Sequence, residues 1–240
     1  GPVFLINAAS FGAVLVSLKV LRVSELQRSP RAPRQRGALI EGFRYVLTRP
    51  DICVILVMVF LIGTFGLNFP IFISTMTTAA FHKGAAEFGV LSSVMAIGSV
   101  VGALLSARRE KPRLRFLFVA TAVFGIGCVA AAVMPTFWGF AIALTVVGLA
   151  SQTMMTTANG AVQLSTPPAV RGRVMAIYMA IFMGGTPIGA PIVGWVANEF
   201  GPRWAIGVGA ASGLLAAFVG LVWLIHYRHL RLRYANHRLW

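Results

Sequence analysis

The hydrophobic pattern of the chain consists of long apolar runs separated by short polar connections. Seven apolar segments of helical length can be drawn, at residues 1–18, 53–76, 87–107, 116–134, 138–163, 174–198 and 204–226. A helix needs about 20 apolar residues to cross the hydrocarbon core of a bilayer. In lipid each backbone polar group must be bonded within its own segment, whereas barrel strands would alternate over about ten residues. The pattern therefore predicts an all-α, polytopic bundle of transmembrane helices.

Composition supports a membrane protein and changes the meaning of the positive charge. Only 11% of the 240 residues are charged and 58% are hydrophobic, whereas about 25% of the residues in soluble domains are charged. The excess of 21 Lys and Arg over 6 Asp and Glu would suggest nucleic-acid binding in a soluble protein. Here the cations lie between apolar runs, so we expect membrane lipid, and no nucleic acid, as their partner.

The distribution of the cations predicts an orientation. Nineteen of the 21 Lys and Arg residues lie in four connections that alternate along the chain, and only Lys83 and Arg203 lie in the remaining ones. The positive-inside rule assigns the cation-rich regions to the cytoplasm. We therefore expect a multi-pass protein of the inner (plasma) membrane with a cytoplasmic carboxyl terminus.

This orientation places Gly1 outside, although no export signal precedes the first apolar segment. We therefore expect the sequence to be the downstream part of a longer transporter. The expected parts are a first helix (1–18), a cytoplasmic linker (19–52), a six-helix region (53–226) and a basic cytoplasmic tail (227–240). Apolar residues recur at helical spacing over 39–47, which predicts an amphipathic helix along the interface. The alternative is that this stretch only leads into the next span.

The chain shows no pattern that is typical of an enzyme. All six carboxylates lie in connections or at span ends. No nucleophile is paired with a base, and the sequence has no metal-ligand spacing, catalytic motif or phosphate-binding loop. We therefore expect no catalytic residue, no metal site and no cofactor.

Neutral polar residues are aligned within two of the spans. Gln152, Thr156, Asn159 and Gln163 fall within an arc of about 60° on one helix. Thr64, Asn68 and Thr75 form a weaker stripe in segment 53–76. Such stripes either bond helices together or line a wet cavity, and the residue pattern leaves both readings open.

Small residues recur four positions apart in several spans, where they let helix backbones approach closely. The expected packing positions are Gly98, Gly102, Gly185, Gly189 and Gly194. Pro187 and Pro191 lie beside the last three and offer deformable points for a rocking motion.

Five stretches are distinctive in order and spacing: residues 7–11 (NAASF), 41–50 (EGFRYVLTRP), 102–109 (GALLSARR), 171–176 (RGRVMA) and the Gly- and Pro-rich run 184–194. Together they resemble the carboxyl-terminal half of a major facilitator superfamily transporter of the siderophore and macrolide exporter type. The resemblance implies helices six to twelve of a twelve-helix fold, with 1–18 as the last helix of the amino-terminal half, 53–226 as the six-helix carboxyl-terminal half, and segments 53–76 and 138–163 at a central cavity. It places Arg108, Arg109, Arg171 and Arg173 in cytoplasmic-loop motifs. The Asp that follows the glycine of the family's loop motif is absent here, where Ser106 and Ala107 stand instead.

The function that the resemblance implies is efflux of a small-molecule substrate by alternating access. Bulky polarizable residues near the polar stripes suit a partly apolar solute: Phe65, Phe69, Met155, Tyr178 and Met183. A carboxylate for a coupling proton, as in an antiporter, would lie in the half outside this chain. The alternatives are a membrane-embedded half-transporter subunit that pairs with another chain and, with less support, a membrane enzyme or channel.

Overall fold

The structure is a computed structural model that describes residues 2–21, 38–109 and 114–236. Every regular element in these ranges is helical, which confirms the all-α prediction. The helices are α1 (Pro2–Val20), α2 (Ala38–Leu47), α3 (Pro50–Leu61), α4 (Phe69–Thr75), α5 (Ala85–Ala107), α6 (Leu114–Val133), α7 (Phe137–Ser165), α8 (Pro168–Glu199) and α9 (Pro202–Asn236). Two π-helical turns, Ile62–Gly66 and Met76–Ala80, follow α3 and α4.

The chain divides into two compact units, residues 1–35 and 36–240. In the first unit, α1 is a 19-residue helix whose side chains are exposed from Asn7 onward. The second unit contains six helical segments that are long and apolar enough to cross a membrane: Pro50–Ala80, Ala85–Ala107, Leu114–Val133, Phe137–Ser165, Pro168–Glu199 and Pro202–His226. This part of the chain is therefore a multi-pass bundle, as the apolar pattern predicts.

Several helices begin or end outside the predicted segments. Pro50 and Pro168 occupy the first turns of α3 and α8, where a missing N–H costs nothing and the fixed φ favours a helix. Both starts therefore precede the apolar residues that marked the predicted segments. The last helix, α9, continues to Asn236 through most of the stretch predicted as a separate tail. Residues 22–37 of the predicted linker and residues 237–240 of the predicted tail lie outside the described ranges.

The span that contains α3 and α4 is broken at Leu67 and Asn68. The Leu67 N–H donates to the Ile62 carbonyl, five residues back, at 2.9 Å, and Pro70 has no N–H to continue the ladder. The Asn68 Nδ2 donates to the Thr64 carbonyl at 2.8 Å, and the Thr186 hydroxyl of α8 donates to the Gly63 carbonyl at 3.4 Å. Side chains therefore satisfy carbonyls at the break, as lipid requires.

Glycines bring neighbouring helices into backbone contact. A Cβ atom on Gly98 or Gly102 of α5 would meet the carbonyls of Thr145 or Leu149 on α7. A Cβ atom on Gly189 of α8 would collide with the Thr64 carbonyl, and Gly185 lies against the Thr64 hydroxyl. Gly194 has open space at its Cβ position and makes no such close contact within the described residues. Pro187 and Pro191 lie inside α8 and are exposed.

Candidate functional site

A cavity of about 580 Å³ lies among α5, α7, α8 and the broken span, within the size range of small-molecule sites. It is open to the surface of the chain. Its lining comes from four parts of the sequence: Leu67, Phe69, Met95, Ser99, Ser151, Gln152, Met155, Thr156, Asn159, Tyr178, Met179 and Phe182. No lining residue carries a charge. The cavity therefore offers hydrogen bonds and apolar surface, without an ion partner.

The polar wall of the cavity is the stripe on α7. Gln152 Nε2 donates to the Thr156 hydroxyl at 3.4 Å, and Gln163 Nε2 donates to Asn159 Oδ1 at 2.8 Å. Gln152 and Asn159 are half-buried, whereas Thr156 and Gln163 are exposed. The stripe bonds mainly within itself, which leaves amide groups free to meet water or a solute.

The opposite wall is aromatic and rich in thioethers. The Tyr178 and Phe182 rings stack with their centroids 6.5 Å apart at an interplanar angle of 21°. Three methionines also line the cavity: Met95 of α5, Met155 of α7 and Met179 of α8. Thioether and aromatic surfaces adapt to irregular apolar shapes.

The structure brings together only part of the predicted site. Gln152, Thr156 and Asn159 line the cavity, and Gln163 adjoins it through its bond to Asn159. The placement of Thr64 and Asn68 in the lining needs correction, because they are only 0% and 3% exposed and serve the helix break instead.

The bulky residues predicted near the polar stripes also fall partly inside and partly outside the cavity lining. Phe69, Met155 and Tyr178 line the cavity, whereas Phe65 and Met183 do not. Sequence reasoning missed the contributions of α5, Met95 and Ser99, and also Phe182, because no local pattern shows which faces of separate helices meet.

The predicted loop arginines have different surroundings. Arg108 is exposed, and the Arg109 guanidinium lies 3.8 Å from the centroid of the Phe116 ring. Arg171 Nε donates to the Thr166 carbonyl at 3.2 Å. Arg173 forms an ion pair with Glu41 and joins α2 to α8. Two of the stretches that carried the family resemblance, 41–50 and 171–176, are therefore in contact.

A further ion pair, which sequence reasoning missed, connects α2, α3 and the end of α7. Arg49 Nη2 lies 2.7 Å from Asp51 Oδ2, and Arg49 Nη1 donates to the Tyr45 hydroxyl at 2.9 Å and to the Ser165 carbonyl at 3.3 Å. The hydrogen bond from Arg49 to Asp51 raises the pKa of the guanidinium above its ordinary value. The arginine therefore stays charged and holds three helix ends at one end of the bundle.

Comparison with known proteins identifies the family. A family model described as a transmembrane secretion effector matches residues 1–233. The chain belongs to this family of major facilitator transporters. The match agrees with the six spans and with the resemblance of the loop motifs.

Three curated relatives show the range of similarity. The enterobactin exporter EntS of Citrobacter koseri is 27% identical over 244 residues, which cover 93% of this chain and 53% of that protein. The MFS-type transporter YcaD of Escherichia fergusonii is 31% identical over 121 residues, covering 49% of this chain and 31% of that protein. YcaD of Escherichia coli O45:K1 is 30% identical over the same length. The chain thus spans about half the length of the enterobactin exporter, and these relatives are transporters rather than enzymes.

Proposed function

We propose that this chain supplies the carboxyl-terminal half of an exporter for a small, partly apolar solute. The observation that carries the proposal is the cavity, whose α7 wall presents Gln152, Thr156 and Asn159 opposite the stacked rings of Tyr178 and Phe182. Amides beside aromatic and thioether surfaces suit a solute with both polar and apolar faces. Similarity to an enterobactin exporter supports outward transport.

Alternating access is the mechanism that this arrangement favours. Substrate sites of such transporters lie where two repeats meet near the middle of the membrane, and broken helices line them. The break at Leu67 and Asn68 adjoins the cavity, and α8, with Pro187 and Pro191, packs directly on that span. Rocking of this half against the other would open the cavity to each side in turn. A coupling proton, as in an antiporter, would bind a carboxylate outside this lining.

Cysteine labelling of the complete transporter tests whether the α7 stripe lines a water-filled path. In a background without Cys53 and Cys128, the variants Gln152→Cys, Thr156→Cys and Asn159→Cys should react with a membrane-impermeant thiol reagent in at least one conformation. The matched controls Ala141→Cys and Leu144→Cys lie on the same helix but are each 3% exposed, so they should stay unreacted.

Transport then separates a cavity role from a packing role. Gln152→Leu and Asn159→Leu should reduce transport while the amount of folded protein is unchanged, because an amide that faces water is lost at little structural cost. If the stripe bonds helices together instead, these variants lose stability, by about 1 kcal/mol for each interhelical hydrogen bond. Absence of labelling at all three positions, together with lower stability, would refute the proposal.

A further inference from the structure

Helix α2 has an apolar face that the rest of the described chain leaves exposed. Ile40, Phe43 and Leu47 are 74%, 53% and 75% exposed, and they fall within an arc of about 60° around the helix axis. We call these three residues the free face. Large apolar side chains exposed together on one face of a helix mark a contact with lipid or with another protein.

The neighbouring sector of α2 is held against α8. A Cβ atom on Gly42 would lie 3.1 Å from Arg173 Cβ and 3.2 Å from Ile177 Cδ1. Val46 is buried on the same side, about 110° around the axis from the free face. The ion pair between Glu41 and Arg173 joins the two helices beside this contact. Contact with α8 therefore fixes the rotation of α2 and leaves the free face uncovered.

The third sector of α2 is polar. Thr48, directly after the helix, is exposed and lies about 110° from the free face in the other direction. Arg44 is also exposed and lies between Thr48 and the free face. A helix on a membrane surface beside a bundle has this order of neighbours, with protein to one side, water above and the apolar part of the membrane below.

The position of α2 along the chain places it at the membrane surface. The helix ends at Leu47 and the first span begins at Pro50, so their ends are no more than about 11 Å apart. The span Pro50–Ala80 has 31 residues, which as a helix are about 45 Å long and match a bilayer with its headgroups. Its first residue therefore lies at headgroup level, and α2 lies beside it.

The charge around the free face favours anionic lipid over a protein partner. Within the described ranges Arg44 forms no ion pair, and the nearest acid, Glu41, is paired with Arg173. The sequence ahead of α2 adds four arginines between positions 28 and 36, and no Asp or Glu occurs from there to Ile40. Basic clusters beside a span or on an amphipathic helix are attracted to the phosphates of anionic lipids. This part of the chain is therefore complementary to an anionic membrane surface.

We propose that α2 lies on the membrane surface at the end of the bundle that carries Arg49, and that it binds anionic phospholipid there. The free face enters the boundary between headgroups and acyl chains, and Arg44 contacts a lipid phosphate. Because α2 is joined to α8, this contact also holds the amino-terminal end of α8 at the membrane surface. The proposal does not depend on the substrate or on the direction of transport.

An environment-sensitive fluorescent label tests where the free face lies. Ile40→Cys, Phe43→Cys and Leu47→Cys are each labelled with nitrobenzoxadiazole in the complete transporter, in a background without the two native cysteines. In vesicles of phosphatidylcholine and phosphatidylglycerol, all three labels should emit at short wavelength and be quenched by lipids brominated high on the acyl chain. Thr48→Cys is the matched control, and because it lies in the polar sector it should show water-like emission and little quenching.

Lipid-specific quenching tests the headgroup contact. At equal mole fractions, brominated phosphatidylglycerol should quench the label at Phe43→Cys more strongly than brominated phosphatidylcholine. A basic residue near an anionic lipid contributes about fivefold in affinity, so Arg44→Gln should reduce this preference by up to about fivefold. Lys83→Gln, at the other end of the bundle, should leave it unchanged. High salt should weaken the preference without any change at Arg44, because screening reduces the attraction to headgroups.

Three results would overturn the proposal. Short-wavelength emission without quenching by either lipid would show that protein covers the free face, either the other half of the transporter or a second copy. Water-like emission at all three positions would show that the face is solvated. Equal quenching by the two lipids, unaffected by Arg44→Gln, would show an apolar contact without an anionic headgroup.

Discussion

Thr64 shows how a single buried residue connects the broken span to the neighbouring helix. Its backbone packs against Gly185 and Gly189 of α8, its carbonyl accepts from Asn68, and its hydroxyl has no hydrogen-bond partner. The close approach of α8 to this residue is possible only because both α8 positions lack a side chain. The absence of side chains at Gly185 and Gly189 therefore determines how closely the two helices pack.

The first prediction concerns Gly189. Gly189→Ala should lower stability by about 1–3 kcal/mol, because its methyl group would collide with the Thr64 carbonyl and overpacking of a tight contact costs that much. Thermal unfolding of the detergent-purified protein measures the effect. Gly194→Ala is the control on the same helix, and because its Cβ position is open it should be neutral or slightly stabilising. Equal melting temperatures for the two variants would contradict the contact.

The glycine pattern also shows a limit of sequence reasoning at this scale. Spacing of four residues marked both the Gly185 and Gly189 pair and the Ala190 and Gly194 pair, since the two patterns are the same along the chain. Gly185 and Gly189 meet the broken span at Thr64, whereas the Cβ position of Gly194 is open. A periodic pattern defines a face of a helix, but the packing partner of that face is set by distant parts of the sequence.

At the scale of elements, the broken span differs most from its sequence pattern. An uninterrupted apolar run predicted one continuous helix over 53–76. The structure shows α3, a π-helical turn, two residues outside any helix and then α4. The shift from α to π bonding leaves no hydropathy signal, because it changes which carbonyl each N–H reaches and not which residues are apolar.

The second prediction tests how this break is stabilised. Asn68→Leu should lower stability by about 1 kcal/mol, because it removes the bond to the Thr64 carbonyl and leaves that group without this partner in a buried position. Thr75→Val is the control, since its hydroxyl donates to the Ile71 carbonyl of its own helix, as a helical N–H already does. Unfolding midpoints in detergent should separate the two variants, and an unchanged midpoint for Asn68→Leu would show that water replaces the amide.

The candidate cavity was predictable where one helix carries it. The stripe of Gln152, Thr156 and Asn159 follows from the helical period alone, and these residues line the cavity. The other lining residues belong to different helices. Tyr178 and Phe182 lie on α8 and Met95 lies on α5, and each is 19 or more residues from the nearest residue of the stripe. Their place in the lining depends on helix packing, which local patterns do not encode.

At the scale of the whole molecule, the six spans bring alternate connections to the same end of the bundle. The first span begins at Pro50 and the sixth leaves the apolar region at His226, so an even number of crossings returns the chain to the end where it entered. The ion pairs of Arg49 with Asp51 and of Arg173 with Glu41 lie at this end. Lys83, Arg203 and the exposed side chains of Trp138, Trp195 and Trp204 lie at the other.

The last prediction is the orientation of this bundle. Because Lys and Arg resist translocation, we expect the Arg49 end to face the cytoplasm. A fluorescent protein that matures only in the cytoplasm should be active when fused after Arg109 or Pro167, and an alkaline phosphatase that is active only outside should be inactive there. Insertion at Lys83 should give the reverse pair of signals. The two reporters control for each other, since a fusion that fails to fold is silent with both, and phosphatase activity after Arg109 would invert the topology.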